Sequence, residues 1–327
     1  MAFHCGILKN LQASAVALVL LCCASAADRA HGQERFLTRL SSGVGLPTAG
    51  GPLAWTDEVI DGQWRIQKHA IVGHYRLLDP LQRRMAVGTM EQCFCELQRR
   101  RDAGQIPPMS PCLVIVIHGL SGSRAGMDGM ADYLRDQGGL SVINFGYAST
   151  RGTIQDQAVA LESVLRNLRG VQQVSFVAHS MGNIVVRHLL YKLEVQGNPP
   201  PLVYNRMVMI SPPNHGAEVA DTIGQRPVFK LALGEVVDQF APHYGWPQLE
   251  RQLATPDFEF GIIAGGLGNG KGFLPRVPGD DDGLLSLQTH MLDGASDFQQ
   301  TGGVHQLMPR YRSVRESTLS FLQTGHF

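Results

Sequence analysis

The stretch "SFVAHSMGNIVV", residues 175–186, passes from a short apolar run through His179 and Ser180 into a glycine and branched residues that can begin a helix. A serine at such a junction can sit on a sharp strand-to-helix turn, its hydroxyl presented at the end of the strand. That turn needs small residues two positions before and two after, because neighbouring backbone comes close. Gly182 meets the condition. Ala178 adds only a methyl, which the turn accepts if the adjoining strand leaves room. The plainer alternative is a serine that caps a helix N-terminus, so the surrounding chain has to decide.

Working outward, apolar runs alternate with helical periodicity. "CLVIVI" at 112–117 reads as a buried strand, followed by the turn "HGLSGS" and by Met127, Met130, Ala131 and Leu134 at helical spacing. "LSVINF" at 140–145 reads as a second strand. Thr153 with Asp156 resembles a capping box, and Ile154, Ala158, Leu161, Leu165 and Leu168 give the next helix one apolar face. "VSFVA" at 174–178 is the third strand, with a helix over 182–193. "RMVMI" at 206–210, "FEFGIIAG" at 258–265 and "DFQQTGGV" supply further strands, and a last helix runs near 310–322. This alternation predicts an α/β fold, a mostly parallel sheet with helices on both faces, with chemistry beyond the carboxyl ends of its strands. Residues 217–257 interrupt it with Phe229, Leu231, Leu233, Val236, Val237, Phe240, Tyr244 and Trp246. They read equally as a lid-like insertion over the sheet edge or as a structural insertion.

A serine hydroxyl attacks only when a base takes its proton and a third group orients that base. If the serine stands on such a strand-to-helix elbow, the arrangement that carries it has its partners in the order serine, acid, histidine. Beyond the acidic run "PGDDDGLLS" at 278–286 lie His290, His305 and His326. His290 stands too close to that run to occupy a separate loop, and His326 is penultimate, so His305 is the predicted base. Asp282 is the predicted acid because Gly283, Leu284 and Leu285 can anchor its loop; Asp280 and Asp281 stay as alternatives, and a solvated loop or calcium site is the reading for the other two. Backbone N–H groups of Met181 and Leu120 are the positional candidates for an oxyanion hole.

"VIVIHGLSGS", "VAHSMG", "GDDDGLL" and "GGVHQL" together resemble the α/β-hydrolase superfamily in its lipase and esterase branch, especially small bacterial triacylglycerol lipases whose elbow begins with Ala. "YASTRGTIQDQA" and "SPPNHGAEVAD" are similar to segments of lipase-like members, although Ala217 stands where many relatives carry Ser. The resemblance covers roughly residues 110–325. It implies a carboxylic ester hydrolase without a cofactor or metal, with Ser180 as nucleophile, His305 as base and then acid, and Asp282 as orienter. An acyltransferase or thioesterase would use the same acyl-enzyme, and a non-catalytic binding protein could keep the fold.

The beginning of the chain reads differently. Lys9, an apolar stretch from about Leu11 to Cys23 and the small residues Ala24, Ser25 and Ala26 have the layout of a signal peptide over 1–26, giving an exported, periplasmic or extracellular protein. An uncleaved membrane anchor is the alternative. Residues 27–109 form an N-terminal extension with a Gly/Ser/Ala-rich lead-in, strand or hairpin pattern over Trp55–Asp79 and a helix around "EQCFCELQRRRDAG"; its expected role is packing. Residues 110–327 form the catalytic domain. Cys93, Cys95 and Cys112 remain after cleavage, and Cys93 or Cys95 could pair with Cys112.

Lys plus Arg equals Asp plus Glu at 28 each, with 44% hydrophobic and 17% charged residues. That balance describes a globular protein and argues against nucleic acid as a partner. A small-molecule or lipid ester is the expected substrate, transient contact with a membrane or lipid interface is allowed, and the oligomeric state is open. "GGLGNGKG" at 265–272 superficially fits a phosphate-binding loop, but Gly272 stands where Ser or Thr would meet magnesium and Pro275 interrupts the required helix.

Overall fold

The run Cys112–Ile117 becomes an inner strand, β5, next to one edge of a six-stranded sheet in the computed structural model, which describes residues 52–223, 230, 232–274, 277 and 279–327. The predicted signal peptide and lead-in, and Phe229, Leu231 and Pro275, lie outside the described residues. The other strands of this sheet are β6 (Val142–Phe145), β7 (Gln173–His179), β8 (Val203–Ile210), β9 (Glu259–Gly266) and β10 (Asp297–Gly302). They pair in the order β10-β9-β8-β7-β5-β6, every pair parallel.

Alternate residues of β5 face opposite layers, as strand geometry requires. Leu113, Ile115 and Ile117 join the apolar stripes of α3 (Ile154–Asn167) and α4 (Met181–Gln196), including Ala158, Leu161, Ile184 and Leu189. Val114 and Val116 instead meet α2 (Arg124–Asp136) and α5 (Arg312–Thr324) through Met127, Met130, Val314 and Phe321. Both faces are therefore covered, which is why these strands read as continuous apolar runs. The predicted capping box is formed: Thr153 N–H donates to Asp156 Oδ2 at 2.8 Å and Asp156 N–H donates to Thr153 Oγ1 at 3.2 Å. This fixes where α3 begins.

The extension is more than a hairpin. Strands β1 (Trp55–Asp61), β2 (Trp64–His69), β3 (Tyr75–Leu78) and β4 (Arg84–Gly88) make an antiparallel sheet in that order, followed by α1 (Met90–Asp102). Val59, Trp64, Ile66, Leu77, Cys93 and Leu97 form its core, while the adjacent Ile60 packs into the main one. Residues 50–327 form one compact unit. Polar contacts join the two sheets. Asp57 is fully buried; its N–H donates to the Gly146 carbonyl, its Oδ2 accepts from Gly146 N–H, and both distances are 2.8 Å. Arg65 and Gln67 satisfy the rest of the carboxylate, and Thr56 Oγ1 accepts from Ala148 N–H at 3.0 Å.

The pairing with Cys112 that the sequence left open is not formed. Among the described residues the cysteines are free: Cys93 lies buried in the extension core, Cys95 is exposed on the same helix, and the Cys112 thiol donates to Gln173 Oε1 at 3.3 Å. Two residues apart on a helix, Cys93 and Cys95 point to different sides, and neither meets the start of β5. No helix among the described residues is long and apolar enough to cross a membrane.

Candidate active site

Strand β7 ends at His179 and helix α4 begins at Met181, so the whole reversal falls on Ser180, at φ 53° and ψ −128°. A side chain at positive φ is strained, at a cost of about 1–3 kcal/mol, and persists only where its surroundings dictate it. Ser180 N–H donates to the Ile210 carbonyl at 2.9 Å, and Asn183 Nδ2 donates to the Ser180 carbonyl at 2.9 Å. A Cβ at Gly182 would lie 2.7 Å from the His118 carbonyl oxygen, so glycine is obligatory there. Ala178 is buried between Ile117 and Met209 in the sheet register, and its methyl is accommodated.

His305 begins a 3-10 turn after β10 and reaches back to this serine. Its Nε2 lies 2.8 Å from Ser180 Oγ and its Nδ1 2.6 Å from Asp282 Oδ2. A carboxylate accepts only, so Nδ1 carries the hydrogen and the neutral ring leaves Nε2 free to accept from the serine hydroxyl. The backbone of His305 is fixed from both sides: its N–H donates to the Asp282 carbonyl at 2.8 Å, and its carbonyl accepts from His179 Nε2 at 2.9 Å. Asp282 Oδ1 accepts from the N–H groups of Leu284 and Leu285. Burial would raise the Asp282 carboxyl, but the charge and hydrogen bond of His305, with the nearby His290 ring, outweigh it and hold the group well below the usual carboxylate range.

The structure thus brings Ser180, His305 and Asp282 into one hydrogen-bonded chain, all three buried. Loop residues after β5 lie against the serine, since a Cβ on Gly119 would come within 2.8 Å of Ser180 Cβ. Leu120 follows directly, half-buried, and Met181 is the first residue of α4. Leu120 and Ala217 pack on the cluster that contains Met181, Val236, Phe240 and Trp246, so the described part of the 217–257 insertion shares its core with this end of the sheet. Gln239 ties that insertion to the start of α3, its Oε1 accepting from Ile154 N–H at 2.9 Å.

Asp280 and Asp281 are neither solvated nor arranged for calcium. Both are buried; Asp280 accepts from Leu267 N–H and Gln300 Nε2, and Asp281 from Leu274 and Gly283 N–H. No group of three His, Cys, Asp or Glu side chains among the described residues could hold a metal ion. The loop needs these carboxylates to satisfy its own backbone donors. "GGLGNGKG" serves the same loop: Gly272, at φ +68°, leaves room for Asp281, whose carboxylate a Cβ would strike. His290 is not on Ser180 but lies beside the acidic run. Eight positions from Asp282, it is folded back so that its Nε2 lies 3.4 Å from Asp282 Oδ2.

Sequence reasoning assigned no role to His179 or His118. Burial, reinforced by nearby His305, pushes the His179 ring down to about 3, and burial pushes His118 down to about 4 despite its contact with the Gly119 carbonyl. Both remain neutral near pH 7. His118 also stacks on Tyr147, whose hydroxyl donates to the His118 carbonyl at 2.7 Å. The signals were present, a histidine immediately before Ser180 and another before Gly119, but only the fold shows what they hold.

A family model described as "Putative serine esterase (DUF676)" matches residues 110–212, a span that includes Ser180 and Leu120 but neither Asp282 nor His305. No curated protein matches the chain. Among solved structures, the lin2722 product of Listeria innocua is similar at 19% identity and a TM-score of 0.48, covering 66% of this chain and 95% of its own. The mature lipase BlEst2 of Bacillus licheniformis is similar at 18% identity and 0.46, covering 68% and 94%. Phospholipase PlaB of Legionella pneumophila is similar at 18% and 0.48, covering 66% and 57%.

Proposed function

We propose that this chain, with its α/β-hydrolase fold, is a serine hydrolase that cleaves carboxylic esters through an acyl-enzyme on Ser180. The observation that carries the reading is the chain of hydrogen bonds from Asp282 through His305 to a serine held at positive φ. His305 Nε2 takes the hydroxyl proton as Oγ attacks the ester carbonyl. Asp282 keeps the tautomer that makes Nε2 a base and offsets the imidazolium that results. The N–H groups of Met181 and Leu120 receive the tetrahedral oxyanion, the alcohol departs with the proton from His305, and a water activated by the same ring releases the acid. Leu120 and Met181, the apolar residues that flank the serine in the loop after β5 and at the start of α4, favour a lipid-like acyl group over a polar one.

The test is hydrolysis of a chain-length series of p-nitrophenyl esters by purified protein, with Ser180→Ala and fluorophosphonate labelling in parallel. Ser180→Ala should lower kcat by on the order of 10⁴-fold or more without unfolding the protein, and the probe should label Ser180 alone. Near-normal turnover by the folded variant overturns the assignment. Longer acyl groups should be preferred, and a strict preference for acetyl esters would remove the lipid-like substrate class.

A further inference from the structure

His290 ends the short helical turn Leu287–His290 and is wholly buried. Its Nδ1 lies 3.0 Å from the Pro212 carbonyl oxygen. A carbonyl only accepts, so this nitrogen carries a hydrogen. The opposite nitrogen, Nε2, lies 3.4 Å from Asp282 Oδ2, the same oxygen that accepts from His305 Nδ1, and makes no hydrogen bond. A neutral ring with its hydrogen on Nδ1 would leave an unpaired acceptor nitrogen beside a carboxylate where both side chains are 0% exposed. A charged ring places an N–H there instead, converting two opposed acceptors into an ion pair.

The other charged groups around the turn favour the same state. Asp282 faces the ring directly, with His305 across the shared oxygen. The Glu218 carboxylate borders the turn, held by the hydroxyls of Ser286 and Thr289 at 2.7 Å each. Arg187 reaches it only through Asn214, whose amide donates to the His290 carbonyl.

We propose that His290 is a positioning residue: an imidazolium clamped between the Pro212 carbonyl and Asp282 that fixes the carboxylate oxygen used by His305 and sets the pH at which His305 becomes a working base. A fixed positive charge beside the pair disfavours a second one on His305, so the base stays unprotonated to lower pH. Its kinetic consequence rests on the ester-hydrolase reading; its charge state does not.

His290→Gln keeps an N–H donor at this place and removes the charge. The acid limb of kcat/KM for p-nitrophenyl ester hydrolysis should then move up by about one pH unit. His290→Leu, which removes the donor too, should lose more of the plateau rate. An acid limb unmoved in folded His290→Gln overturns the proposal. ¹⁵N resonances of the imidazole nitrogens in uniformly histidine-labelled wild-type protein near pH 7 give a second readout, independent of turnover. Two protonated nitrogens on His290 are expected, and a neutral ring overturns the proposal. Absence of ester hydrolysis in wild-type protein would instead overturn the functional reading and leave the resonance test standing.

Discussion

Asp282→Asn exchanges one oxygen for an amide nitrogen with almost no change of shape, and the structure dictates how the new side chain must sit. The N–H groups of Leu284 and Leu285 point at Oδ1 from 3.1 and 2.9 Å. An asparagine therefore keeps its carbonyl there and turns its NH₂ toward His305. The NH₂ donates, so Nδ1 of His305 becomes the acceptor and the ring hydrogen moves to Nε2, directed at Ser180 Oγ. The base is then in the wrong tautomer, and kcat should fall on the order of 10⁴-fold, about 5.4 kcal/mol of barrier. Loss of the charged contacts costs about 1–3 kcal/mol of stability, so the variant should fold and melt earlier. Asp280→Asn and Asp281→Asn provide the contrast, because those carboxylates brace loop backbone; they should lose stability while keeping kcat within about tenfold of wild type. The assay is steady-state hydrolysis of a p-nitrophenyl ester, with thermal melts to establish folding. A folded Asp282→Asn variant within tenfold of wild type, or a larger kcat loss at Asp280 or Asp281, refutes the reasoning.

Backbone strain at Ser180 should show as a stability difference between two inactive variants: Ser180→Gly, which tolerates φ 53°, should be more stable than Ser180→Ala by about 1 kcal/mol. Equal melting temperatures would place no strain at the elbow. Acid should also weaken the fold before Asp282 titrates. The rings of His179 and His118, at about 3 and about 4, stay neutral when folded, whereas an unfolded histidine protonates near 6.5. Below that pH the unfolded state binds more protons, so the unfolding free energy should fall by up to about 1.4 kcal/mol per pH unit for each ring. Asp282, held low, adds its own loss only below about pH 4. Urea titrations between pH 7 and 4.5 measure the slope, and a flat profile contradicts the buried neutral assignment.

The parallel sheet was legible because strands covered on both faces are apolar throughout, and because Thr153 and Asp156 announce a helix start in the local sequence. Ser180, Asp282 and His305 were legible as a set through their order along the chain. Contacts created by chain reversal were not. His290 was set aside as the base because it stands too close to the acidic run for a separate loop, but its place beside Asp282 comes from the Asp281–Ser286 bridge and the bond from Leu287 N–H to the Asp280 carbonyl, which fold the chain back. Asp57 was hidden for a related reason: in "WTDEVID" an aspartate reads as facing water, because its partners Arg65, Gln67 and Gly146 come from another strand and another sheet. The cysteine pairing stayed open in the sequence on the same ground, since spacing gives no direction to a thiol.

The Asp57 contacts carry a consequence for any attempt to shorten the protein. A fragment starting near residue 110 would keep every group of the proposed chemistry, yet it would strip the amides of Gly146 and Ala148 of their acceptors and uncover the segment whose Tyr147 steadies His118. Trimming would thus be felt two removes away, in the backbone beside the reactive serine, so the front sheet behaves as a keystone and deleting it is not a neutral edit.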